Sequence, residues 1–328
     1  MKKLIRISSI VLAIVILFSF AGCNKNPEIV RFTIGTAGTA GSLYPMGVSM
    51  AECITKRVEG FSATGEATAA SVENLRNLHN GSLGWAISQT EIASIAYYGR
   101  GDYAATPFTD IRALFSTIYN FLQIFTLADS GINSVTDFAG KTISVGAAGS
   151  GGEMAARMVL EAFGMSYADI TPQFMPETEA VSALKDGTID AFIATHPLKS
   201  AAMVDLTTSA VAKLLPVNDQ FYTLNPAYSR YTVVADTYKD ITTDVVIPRS
   251  RITMLTSLNA GFSDDDIYRM VKAIWENRAD WEDCSATVKA QVVIETALEE
   301  IDIPLHNGAI RYYEELGMTI PAALRAAG

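Results

Sequence analysis

The chain has 328 residues, and its 35 acidic against 25 basic side chains give a formal net charge of −10. That length suffices for two domains, and the acidic balance speaks against a nucleic-acid partner and a basic membrane-binding face. The three histidines, His79, His196 and His306, are scattered and offer no framework for a structural zinc site. No cofactor motif survives inspection either, so none is expected, nor a metal.

The amino terminus carries Lys2, Lys3 and Arg6, then the apolar run Ile10 to Phe18, then Phe20-Ala21-Gly22-Cys23. Basic start, short apolar run and small residues before a cysteine predict a lipoprotein signal peptide over residues 1–22. Cys23 is then the lipidated first residue of the mature chain, with 23–27 as a tether. The product is expected to be exported, on the outer face of the cytoplasmic membrane or in the periplasm. Ordinary cleavage near Ala21 and an uncleaved anchor are the alternatives, although the run is too short to favour a permanent span. Cys53, in a helical run, is expected to pack as a small apolar residue. Nothing in its spacing from Cys284 supports a disulfide.

Val30 to Ile34 reads as a strand and leads into the glycine loop Gly35-Thr36-Ala37-Gly38-Thr39-Ala40-Gly41, followed by a helix over Pro45 to Val58. Strands at Phe61 to Thr64 and Leu83 to Ser88 flank a helix that stops at Asn80-Gly81. The same order returns later. Thr142 to Val145 leads into Gly146-Ala147-Ala148-Gly149-Ser150-Gly151-Gly152, then come Thr171 to Met175, a helix stopped at Asp186-Gly187, and an apolar strand to Ile193. Such alternation predicts α/β lobes with mainly parallel sheets and ligands at the strands' carboxyl ends. The expected fold is a two-lobed, periplasmic-binding-protein-like (type II) one, with the ligand cleft between lobes joined by two crossing strands. Residues 28–117 and 236–328 form one lobe with a helical tail. Residues 118–235 form the other, Ile118 to Leu127 carrying the chain across and Tyr228 to Ala235 carrying it back. In the tail, Ser263 caps a helix whose face is Ile267, Met270, Val271, Ile274 and Trp275, and two more helices are expected over Val288–Glu300 and Ala309–Leu316.

These motifs resemble a known family, the TAXI-type solute-binding receptors of TRAP transporters. I-G-T-A-G-T-A-G-S-L-Y-P (Ile34 to Pro45) is similar to their I-G-T-G-G-x-G-G-x-Y-Y-P. A-I-S-Q-T-E-I-A (Ala86 to Ala93) resembles their strand followed by Q-S-D, and Asp137 to Gly151 resembles D-L-x-G-K-x-V-x-x-G-x-x-G-S-G. Asp186 to Ile193 and Ile303 to Gly317 look like further family blocks. The resemblance implies an extracytoplasmic protein that captures a small organic acid or amino acid, glutamate-like in the first instance, and hands it to an ion-gradient-driven TRAP permease. This chain departs from the pattern at Ala37, Ala40 and Leu43. It also has Ala69-Ala70-Ser71 for Gly-Gly-Ser, Glu91 for Asp, and Gly152 for a frequent Thr.

The candidate ligand-binding residues are Thr39, Gly41, Ser42 and Tyr44 from the first loop and Ser150, Gly151 and Gly152 from the second. Amide and hydroxyl donors at helix starts suit a carboxylate, although Thr and Ser there also cap helices. Gln89 ends a strand and offers donor and acceptor, Glu66 is a candidate for an ammonium group, and Thr195 and His196 end another strand. Arg230 is a further possible carboxylate partner. His79 reads as solvated and His306 as structural. Two other functions compete. A secreted serine hydrolase would use Ser150 with His196, although no G-x-S-x-G or H-E-x-x-H is present. The substrate lipoprotein of an ATP-driven importer would share the two-lobed plan. The loop spacing G-x-x-G-x-x-G excludes a dinucleotide fingerprint.

Overall fold

The computed structural model describes residues 29–326. The predicted signal peptide, the tether and Cys23 lie outside them.

Strand formation follows the apolar runs. The described strands are β1 (Val30–Gly35), β2 (Phe61–Glu66), β3 (Trp85–Gln89), β4 (Ile111–Leu127), β5 (Thr142–Ser144), β6 (Thr171–Gln173), β7 (Ala191–His196), β8 (Ala212–Leu215), β9 (Ser229–Val233) and β10 (Val245–Ser257). They join one sheet in the order β2-β1-β3-β10-β4-β7-β5-β6, with β8 on β4 and β9 on β10. β1 and β3 are parallel, as are β5 with β6 and β7. The middle is antiparallel, because β10 runs against both β3 and β4, and β4 against β7. The sheet is therefore mixed rather than mainly parallel. It is an α/β fold of the two-lobed periplasmic-binding-protein kind.

The two long strands explain the link between the lobes. β4 begins at Ile111, seven residues before the expected crossing, and its first part pairs with the last part of β10 (Ile111 with Ser257). Its far end pairs with β7 and β8. The expected return at Tyr228 to Ala235 takes another form: β9 folds back on the start of β10, Val233 opposite Val245, and β10 itself passes on to β3. Two register shifts, between Arg251 and Thr253 and between Met254 and Leu255, bend the β10–β4 pair.

Helices α1 (Leu43–Arg57), α2 (Ser71–His79), α3 (Thr90–Tyr97), α4 (Gly151–Ala162), α5 (Glu177–Lys185), α6 (Ala201–Ser209) and α7 (Asp219–Leu224) follow or separate the strands. The tail holds α8 (Asp264–Glu276), α9 (Ala286–Gln291) and α10 (Asn307–Glu315). Ser263 caps α8 in a capping box with Asp266, and the predicted apolar face is buried. The helix expected over Val288–Glu300 is only α9 plus a single 3₁₀ turn at Ile294–Thr296. That shortening leaves Ala297 C=O free to accept from Ser116 N–H (2.8 Å), tying the tail to β4. One apolar core unites β1, α1, β3 and the tail with Met154, Val159 and Leu160 of α4. A second lies around Phe125, Phe192, Leu206 and Ile247. The same core includes Ile143 of β5 and Ala191 and Ile193 of β7, the strand on which α4 packs.

Cys53 is buried, its thiol pushed up to about 11, chiefly by burial. It and Cys284 are both free thiols. His306 is structural as expected: it is buried, accepts Gly308 N–H at 3.1 Å, and burial lowers its pKa. His79 is not merely solvated. Its ring stacks on Phe108 with centroids 4.0 Å apart, and Nδ1 meets Asp110 Oδ1 at 2.5 Å.

Candidate functional site

The carboxyl ends of β3 and β7 meet at Gln89 and Thr195, where Gln89 Nε2 donates to Thr195 Oγ1 at 2.8 Å. Gln89 is buried and its backbone N–H donates to Ser71 Oγ at 3.0 Å, so strand end and helix start hold it from two sides. Its Oε1 is buried without a partner. The first turn of α4 closes over this pair. A Cβ added at Gly151 would lie 2.6 Å from both Gln89 Nε2 and Ser71 Oγ, so only glycine allows the approach. At Gly152 the nearest atoms, Ser150 Oγ and Thr195 Oγ1, are 3.5 Å away. Next to this seam Glu73 N–H donates to Gly149 C=O at 3.3 Å.

Five expected site residues therefore converge: Gln89, Ser150, Gly151, Gly152 and Thr195. Ser150 Oγ accepts Glu153 N–H at 3.1 Å as the N-cap of α4, the capping role weighed for it, and this leaves its own hydrogen free to donate. His196 Nδ1 lies 2.9 Å from Glu177 Oε2, and no Ser150–His196 hydrogen bond exists among the described residues. Thr195 does not cap the following helix; Ser200 does, accepting Met203 N–H at 3.5 Å.

The first loop behaves differently. Thr39 and Gly41 are exposed, Ser42 accepts from Ser285 Oγ at 3.0 Å, and Tyr44 is half-buried on α1. No described hydrogen bond joins these four to the second loop. The two glycine loops are not conformational copies. Gly146 and Gly149 have φ of 90° and 75°, whereas Gly38 and Gly41 have ordinary negative φ and open space around them. Ser42 is helical and makes no side-chain cap. Glu66 is an exposed strand end whose C=O accepts both the N–H and Oγ1 of Thr36. Arg230 pairs with Asp219 at 2.9 Å and lies over the Tyr222 ring.

Sequence reasoning passed over two features. Ser71, within the quoted Ala69-Ala70-Ser71 block, supports Gln89. Its neighbour Ala70 has φ 71° and ψ −137°, backbone suited to the glycine of the resembling pattern. Glu91, noted only as a departure, is buried with both carboxyl oxygens unpartnered. It lines a cavity of about 290 Å³ between α3, α4 and the segment after α7. A larger groove of about 560 Å³ lies between β8 and the start of β10. None of the eleven expected ligand-binding residues lines either space.

Residues 34–317, nearly all the described chain, match the NMT1-like family. The chain belongs to that family. Among solved structures, this NMT1-like protein is similar to XAC2383 from Xanthomonas citri bound to ATP, at 12% identity and a TM-score of 0.53, covering 87% of this chain and 98% of that one. XAC2383 bound to chloride ion gives 12% identity and a TM-score of 0.51, covering 87% and 99%. The periplasmic aliphatic sulphonate binding protein SsuA from Escherichia coli has 15% identity and a TM-score of 0.45, covering 87% and 78%. At such identities the likeness concerns the fold of the NMT1-like chain.

Proposed function

We propose that this NMT1-like protein is an extracytoplasmic solute-binding protein, lipid-anchored through Cys23, that captures a small organic acid or amino acid for an ion-gradient-driven TRAP permease. The observation that carries this reading is the seam at Gln89, Thr195 and Gly151. Strand ends from both halves meet there, closed over by a helix N-terminus whose amides and partial positive charge suit a carboxylate. Ser150 keeps a free hydroxyl hydrogen beside it, and Gln89 Oε1 has an unused acceptor site. A solute that binds better when the lobes are together would hold them closed, and the permease would recognise that state. The subtype rests on the resemblance in the glycine blocks. The division into residues 28–117 with 236–328 and residues 118–235 belongs to the same proposal.

The test is a melting-temperature screen of the purified protein against amino acids and dicarboxylates. A rise with one chemical class, lost in Ser150→Ala, is expected. Uptake by permease-containing vesicles should persist without ATP and collapse when the ion gradient is dissipated. Ester hydrolysis abolished by Ser150→Ala would overturn the transport reading, and a requirement for ATP would overturn the TRAP subtype.

A further inference from the structure

Glu91 stands out as a buried acid with no ion-pair partner among the described residues. It is 2% exposed, and neither carboxyl oxygen has a hydrogen-bond partner. The hydroxyls beside it, Tyr228 OH and Ser250 Oγ, are also buried and unpartnered. Buried polar groups are rarely left so, and a charged one least of all. Arg100, Asp102, Arg157 and Glu161 are the other charged residues along the cavity. Arg157 pairs with Asp102 at 2.7 Å and with Glu153 at 3.0 Å, and Arg100 Nη2 donates to Ser94 Oγ at 2.6 Å. Ile95, Met154, Met158 and Leu224 supply apolar wall.

The cavity and the proposed solute seam are lined by different residues of the same two helix starts. Glu91 follows Gln89 by two residues, and Met154 follows Gly151 by three, about one helical turn. We propose that this cavity receives the ammonium group of the solute, with Glu91 as its counter-ion and the hydroxyls of Tyr228 and Ser250 completing the shell. The inference rests on the solute-binding reading above and narrows its ligand to an amine-bearing acid. An ammonium group carries three donors and no acceptor, the complement of two carboxylate oxygens and a hydroxyl. A des-amino acid would leave Glu91 as it stands, buried and unpaired.

Titration behaviour agrees with this geometry. Burial pushes the Glu91 carboxyl up to about 7, with Glu300 in the tail adding to it and the hydroxyls of Tyr228 and of Ser250 on β10 opposing. A cation seated there draws the carboxyl back to its ionised form, so binding near neutral pH releases a proton.

Calorimetric titration of the purified protein with matched pairs tests the proposal: L-glutamate against glutarate, and L-leucine against 4-methylpentanoate. The amine-bearing member of one pair is expected to bind on the order of tenfold or more tightly than its partner, the scale of a lost charge-assisted hydrogen bond. Glu91→Gln should erase that gap and the proton release. Glu91→Asp, which keeps the charge, should retain part of the preference and shows that the effect is not a folding defect. Equal binding within each pair, unchanged in Glu91→Gln, overturns the ammonium site while leaving the solute-binding reading standing. Binding of none of these probes overturns both.

Discussion

Gln89 and Thr195 close the seam with one hydrogen bond, 2.8 Å from amide nitrogen to hydroxyl, between residues 106 positions apart in the chain. Gln89 ends β3 and Thr195 is the last residue but one of β7, and these strands are separated in the sheet by β10 and β4. The bond therefore spans the two intervening strands.

Breaking it should have a measurable, coupled cost. Gln89→Leu and Thr195→Val are each expected to destabilise the protein by about 1 kcal/mol, the net worth of a typical internal hydrogen bond. The double variant should cost less than the sum, because each single change strands the other partner. Urea unfolding of the four proteins gives the coupling term directly.

Adjacent glycines should respond unequally. Gly151→Ala forces its Cβ against Gln89 and Ser71, so Gln89 must leave Thr195; a loss of about 1–3 kcal/mol is expected, with weaker solute binding. Gly152→Ala meets nothing closer than 3.5 Å and should be tolerated within about 0.5 kcal/mol. Melting temperatures of the two variants, measured side by side, check the contrast.

Ala70→Gly should stabilise. Ala70 adopts φ 71° with ψ −137°, a region that costs a residue with a Cβ about 1–3 kcal/mol. Glycine removes that strain but loses about 0.5–1 kcal/mol through a freer unfolded chain. The net gain expected is about 1 kcal/mol, visible as a rise of a few degrees in melting temperature.

Glu91 should make stability pH-dependent in a particular direction. Its folded pKa, about 7, exceeds the ordinary value of 4.5 because burial disfavours the charge. The folded chain thus holds a proton that the unfolded chain has lost. The stability tied to that proton is complete below pH 4.5 and disappears as pH rises to about 7. Glu91→Gln lacks this loss and should gain on the wild type across that window by on the order of 3 kcal/mol. Denaturation at pH 4, 6 and 8 without solute tests it; parallel profiles for the two proteins would refute the burial argument.

Much of the fold was legible because its signals are local. Apolar runs became β1, β3, β5 and β7, and the Asn-Gly and Asp-Gly stops ended α2 and α5. Ser263 capped α8 as read. The expected site residues divide into two groups in the structure. Ser150, Gly151, Gly152, Gln89 and Thr195 come together, whereas Thr39, Gly41, Ser42 and Tyr44 share the glycine spacing of the second loop without its backbone conformation. A glycine pattern permits several φ values, and only the neighbours choose among them.

What the sequence alone determined is the succession of strands, loops and helices, since periodicity, caps and turn residues act within a few positions. Which strand carries the chain back between lobes was decided by long-range pairing: β9 sits on the start of β10, and β10 on β4 and β3. The burial of Glu91 beside Tyr228 and Ser250 was decided in the same way. Glu91 lies more than 100 positions from either hydroxyl, and no local rule relates them; only the packing of α3 against β10 and the chain before β9 brings the acid beside the two hydroxyls.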